Sequence, residues 1–173
     1  MYLKLLNIII NMANLEFIIA KFFSTVGPLG LFPFAQGTIS SIFAASMGYY
    51  LNVHFGSDVT FCFAVLTGVL GWLSSKKYLQ KTKNKDPSEV VIDEFSGQLI
   101  ASSAAGISPF LNFLAFVLFR LFDILKPGII KKVEKLKGAT GIMMDDWIAG
   151  LFSAAFLILF SILGLTKHNW FIM

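Results

Sequence analysis

Charge is scarce in this chain, and arginine is nearly missing. Of its 173 residues 14% are charged and 56% are hydrophobic, whereas a water-soluble domain carries about 25% charged residues. That shortfall excludes an ordinary water-facing surface. The single cysteine, Cys62, excludes an internal disulfide; within its apolar run it reads as a small buried hydrophobe, not a nucleophile. His54 and His168 lie at the ends of apolar runs, away from the acids, so there is no cysteine–histidine cluster to hold zinc. Repeats and low-complexity tracts are absent. Residues 1–23 are apolar but interrupted by Lys4, Asn7, Asn11, Asn14, Glu16 and Lys21, where a secretory signal would show a cleaner apolar run and a small-residue cleavage site. They predict an N-terminal helix that lies at an interface or spans poorly.

Long apolar runs fill most of the remainder. Residues 38–55 and 59–75 each fit a membrane span and together make a hairpin. Residues 99–125 are apolar but broken near Gly106, Ser108 and Pro109, which predicts short or tilted helices that return to the same side. A last span starts between Ile142 and Asp145 and runs to Leu165, and Trp170 beyond it suits an interface. Gly27, Pro28, Gly30, Pro33 and Gly37 make residues 24–37 a loop. Asp86-Pro87-Ser88 reads as a helix start, with Asp86 as N-cap and Glu89 at the third helical position. The expected architecture is all-α: one polytopic membrane helical bundle over residues 1–173, with about four to five spanning or partly spanning helices. Lysines at 76–85 and 126–137 form two basic blocks that mark the cytoplasmic side. They suit anionic lipid headgroups. So apolar a remainder argues against nucleic acid.

The acids are clustered. Only Glu16 and Asp58 lie outside residues 86–146. Asp86, Asp93, Glu94, Asp123, Asp145 and Asp146 converge near the cytoplasmic surface once the helices pack. Charges in an oily chain are costly unless something binds them. The cations nearby, Arg120 and Lys126, cannot neutralise so many carboxylates, and the surplus points to a bound metal ion. Oxygen ligands without cysteine or histidine favour Mg²⁺. Arg120 could fork onto two phosphate oxygens and Lys126 could add a point charge; equally, Arg120 and Asp123, three apart on one helix face, could form a purely structural salt bridge. The turn at Thr38 offers free backbone N–H groups to an anion, although its plainer reading is an N-cap. Asp93, Glu94, Asp145 and Asp146 are the expected metal or base residues. The reading is a membrane enzyme that acts on a phosphate group with Mg²⁺.

Three segments, AQGTISS, DPSEVVIDEFSGQLI and FRLFDILKPGIIKKVEKLKGATGIMMDDWIAG, resemble the phosphatidylglycerophosphatase A family, in consistent order over about residues 27–155. The chain departs from the family pattern at Gln36-Gly37-Thr38 with Ser40-Ser41, and at Lys126-Pro127-Gly128-Ile129, which lacks a second proline. The resemblance implies a Mg²⁺-dependent phosphatase of the bacterial cytoplasmic membrane that converts phosphatidylglycerophosphate to phosphatidylglycerol in phospholipid biosynthesis. The positions that match are Thr38, Asp86, Asp93, Glu94, Gly97, Arg120, Asp123, Lys126, Pro127, Asp145, Asp146 and Gly150. Two rivals remain at this level. Another Mg²⁺-dependent lipid phosphotransferase would also need intramembrane aspartates, but the paired DG and AR signature with aspartates at four-residue spacing is missing. A cation transporter would spread its acids through the bilayer depth, and here they group near one side.

Overall fold

A computed structural model describes residues 2–82 and 87–163, and within them every regular element is helical. The order is α1 (Tyr2–Ser24), a 3-10 turn (Leu29–Leu31), α2 (Gln36–Phe55), α3 (Ser57–Lys81), α4 (Ile92–Ser103), α5 (Pro109–Leu125), α6 (Ile129–Val133) and α7 (Ala139–Ile162). Two of the described helices, α3 and α7, are long and apolar enough to cross a membrane.

The shortest helix of the bundle proper lies at its centre. α4 is buried at nearly every residue from Ile92 to Ser102 and packs against α2, α3, α5 and α7, while α1 lies on α3. Its neighbours meet it with small or polar side chains: Ala44, Ala64, Ala149, Ser153 and Thr60 are inaccessible. Bulky apolar side chains point outward instead, among them Phe61, Leu66 and Leu73 of α3, Phe113 and Leu121 of α5, and Phe156 and Leu159 of α7. This inverts the pattern of a water-soluble bundle and lets helix backbones approach closely. Cys62 belongs to the outward set. It is exposed, contrary to the expectation of burial, because α3 turns its large residues away from α4.

Single residues set two of the junctions. Gly56 alone separates α2 from α3, at φ +89°, a conformation that a side chain would strain. At the start of α5, Ser108 accepts a hydrogen bond from the Leu111 N–H at 3.3 Å, and Pro109 follows where its missing N–H costs nothing. Ser108→Ala is expected to lower stability by about 1 kcal/mol without changing activity per folded molecule; denaturation in detergent measures the first and an assay the second.

Two expected helix starts are displaced. α4 begins at Ile92, not beside Asp86, which lies outside the described residues together with His168 and Trp170. Residues 87–91 are instead held by one local turn and by bonds to distant elements. The Val90 N–H donates to Pro87 O at 2.9 Å and the Val91 N–H to Ser24 O at 3.0 Å. Ser40 Oγ donates to Val91 O at 2.9 Å, and the Tyr78 hydroxyl donates to the Glu89 carboxylate. Those bonds satisfy the backbone without a helix. In α2 the N-cap is Ala35, at φ +50°, and Thr38 lies inside the first turn, so it is no cap.

Candidate active site

α4 brings Asp93 and Glu94 into its own first turn. α7 crosses it at two glycines: a Cβ on Gly97 would come within 2.6 Å of Asp146 O, and a Cβ on Gly150 would overlap Gly97 O. The glycines thus let α7 lie directly on α4. The helix admitted by the missing side chain of Gly97 is α7. That contact sets Asp146 against the start of α4. One carboxylate oxygen from each of Asp93, Glu94 and Asp146 lies within 4.8 Å of the others.

These acids sit at the wall of a cavity of about 950 Å³. Its lining includes Ala35, Gln36 and Gly37 at the start of α2, Asp93 and Glu94, Asp123 and Lys126 at the end of α5, residues 134–138, and Asp145 and Asp146. Gly37 is held close: a Cβ there would overlap Glu94 Oε1.

The structure divides the predicted acids by partner. Arg120 Nη1 binds Asp123 Oδ2 at 2.6 Å and donates weakly to Ser41 Oγ at 3.5 Å. Lys126 Nζ binds Asp145 Oδ2 at 2.7 Å and Glu134 Oε1 at 2.7 Å. Lys126 ends α5 in the left-handed conformation, φ +44°, where its side chain meets both acids. Burial opposes its charge, but the hydrogen bonds and negative charges of Asp145 and Glu134 outweigh this and hold the ammonium above the usual lysine range. Asp93, Glu94 and Asp146 have no such cation among the described ion pairs. Asp93 Oδ1, Glu94 Oε2 and Asp146 Oδ1 are buried without a hydrogen-bond partner. Three acids left so are costly to bury. An all-oxygen set of this size fits a hard divalent cation. The cluster can therefore hold a metal ion.

Of the residues expected from sequence, Asp93, Glu94, Asp123, Lys126, Asp145 and Asp146 line one cavity. Thr38 and Arg120 are not among its lining residues; Arg120 stands behind Asp123, and Asp86 lies outside the described residues. Glu134 is an addition. It sits inside a lysine block that reads as a solvated loop, and only its spatial return to Lys126 reveals it. Gly37 is another, hidden because its role is a lack of side chain.

A sequence model of the phosphatidylglycerophosphatase A family matches residues 22–161, which include every residue lining the cavity. The chain is 36% identical over 132 residues to a Bacteroides thetaiotaomicron protein provisionally named phosphatidylinositol-3-phosphatase, covering 72% of this chain and 82% of that one. It is 35% identical over 138 residues to a phosphatidylglycerophosphatase A of Haemophilus influenzae, covering 77% and 82%. With a phosphatidylglycerophosphatase A of Escherichia coli the identity is 30% over 144 residues, covering 82% and 79%. No solved structure matches significantly. With the family match spanning all the segments that build the cavity, and relatives named for one chemistry at this identity and coverage, the chain is an enzyme of the phosphatidylglycerophosphatase A family.

Proposed function

We propose that the protein is a Mg²⁺-dependent lipid phosphatase that hydrolyses phosphatidylglycerophosphate to phosphatidylglycerol and inorganic phosphate in phospholipid biosynthesis. The observation that carries this reading is the meeting of Asp93, Glu94 and Asp146, each with a buried oxygen that has no hydrogen-bond partner, in one cavity that Lys126 also lines. Residues 1–173 act as one membrane domain in the bacterial cytoplasmic membrane, crossing it several times, with α3 and α7 among the spans. The outward-facing phenylalanines and leucines support a hydrocarbon surrounding. The cavity opens on the cytoplasmic side, where Lys131, Lys132, Lys135 and Lys137 meet anionic headgroups.

Asp93, Glu94 and Asp146 would hold the ion. When bound, Mg²⁺ supplies positive charge to the phosphoryl oxygens and polarises the ester. Lys126 binds the phosphate as a point charge that stays protonated through neutral pH. Ala35, Gln36 and Gly37 bring the start of α2 to the cavity beside Glu94, where the free N–H groups of that first turn favour an anion; Thr38 follows in the same turn without lining the cavity. Arg120 fixes Asp123 and reaches Ser41, so it braces α5 against α2 and adds its charge to the phosphate from behind. We assign proton transfer to Asp145, which Lys126 holds in place. Water bonds to phosphorus and gives its proton to Asp145; the phosphorus–oxygen ester bond breaks, and the departing alcohol oxygen takes a proton from solvent.

One observation favours a second substrate: the Bacteroides relative carries an inositol-lipid name at 36% identity. Purified protein in detergent, given phosphatidylglycerophosphate or phosphatidylinositol 3-phosphate with Mg²⁺, distinguishes the two. We expect inorganic phosphate from the first, loss of release on EDTA treatment, and recovery when Mg²⁺ is restored in excess. Release from the inositol lipid alone would transfer the assignment to that substrate. Release untouched by EDTA would remove the metal from the reading.

A further inference from the structure

Lys126 makes two ion pairs of equal length but unequal permanence. Asp145 Oδ2 and Glu134 Oε1 both stand 2.7 Å from Nζ. The Asp145 side chain is 8% exposed and fixed on α7; that of Glu134 is 46% exposed and follows α6. The backbone under Glu134 is anchored, because Ile130 is fully buried and the chain at Glu134 O lies close against Gly141. Only the side chain of Glu134 is therefore free to turn into solvent. A lysine that already serves two carboxylates cannot also bind a phosphate dianion at full strength, and like charges would crowd beside it.

We propose that Glu134 is a placeholder anion, which occupies Lys126 in the substrate-free enzyme, yields to the substrate's phosphate, and returns to drive inorganic phosphate out. This rests on the reading of Lys126 as the phosphate ligand. Glu134 acts through Lys126, so it is a positioning residue and not a catalytic one. Its expected signature is uniform weakening of ligand binding, which appears in KM and not in kcat.

The test compares wild type with Glu134→Gln, and each again in a Lys126→Gln background. A half-exposed ion pair is worth up to about 1 kcal/mol, so its loss is expected to lower KM for the lipid phosphate by about fivefold, with kcat held. The inhibition constant of inorganic phosphate falls by the same factor, and calorimetric titration with inorganic phosphate reads the same change without turnover. In the Lys126→Gln background, Glu134→Gln has no further effect on any of these. An unchanged or raised KM, unchanged phosphate binding, or an effect that survives without Lys126 overturns the placeholder. Wild-type protein that releases phosphate from no lipid phosphomonoester overturns the function beneath it instead, a result the assay shows before any variant is made. Glu134→Ala, matched by thermal melting, replaces the glutamine variant if the latter does not fold.

Discussion

Asp146→Asn is expected to lower phosphate release by about a thousandfold, equivalent to about 4 kcal/mol of transition-state stabilisation. The substitution is nearly isosteric and removes one charge from the group formed by Asp93, Glu94 and Asp146. Asp146 is 4% exposed, and its Oδ1 has no hydrogen-bond partner. A neutral amide is cheaper than a carboxylate to hold in that position, so the folded protein is expected to melt at the same temperature or higher. Activity falls while stability does not, and this separates a site residue from a structural one. A third follows from the metal: the Mg²⁺ concentration that restores half of the residual activity rises. Activity within tenfold of wild type, at equal folding, would show that the three acids are not the centre of the reaction.

The helices and the acids are visible in the sequence for different reasons, and the omissions share a cause. Apolar runs separated by glycine, proline and lysine locate α2, α3, α5 and α7, since each run must be long enough to satisfy its own backbone, but α3 continues past the expected end at residue 75 into the lysine block, as far as Lys81. The acids stand out because a charge in an oily chain needs a reason. The start of α4 was misleading locally. Asp86-Pro87 is a sound helix opening by itself, yet Ser24, Ser40 and Tyr78, all distant in sequence, hold residues 87–91 out of the helix. Cys62 misleads for a related reason. Small residues are usually inside, but which face of α3 turns inward depends on Gly68 and Gly71, which pack against Trp147 and Ile92. Glu134 is equally invisible without the fold, because nothing in a lysine-rich stretch says that one carboxylate turns back to Lys126. Periodicity and composition report what each element costs alone, whereas these three features are set by partners more than ten residues away or on another helix.

Gly97→Leu is expected to remove most activity by a route that touches no acid. A Cβ at this position would lie 2.6 Å from Asp146 O and 2.8 Å from Phe119 Cε2. Phe119 is wholly buried, and the opposing Gly150 already rests against Gly97 O, so neither neighbour has room to withdraw. Overpacking of this kind costs about 1–3 kcal/mol, and the remaining relief is for α7 to slide or lift from α4. Either motion carries Asp146 away from Asp93 and Glu94, and a displacement of about 1 Å at a reacting centre is worth roughly a hundredfold in rate. Gly97→Ala, which adds one carbon, is expected to fall between wild type and Gly97→Leu in both yield of folded protein and activity per folded molecule. Val65→Leu, on the outward face of α3, adds one carbon, as Gly97→Ala does, at an exposed position and serves as the control. A graded loss at Gly97 with none at Val65 makes the α4–α7 spacing the determinant of the acid cluster; full activity in folded Gly97→Leu would mean that the three carboxylates can be brought together without that contact.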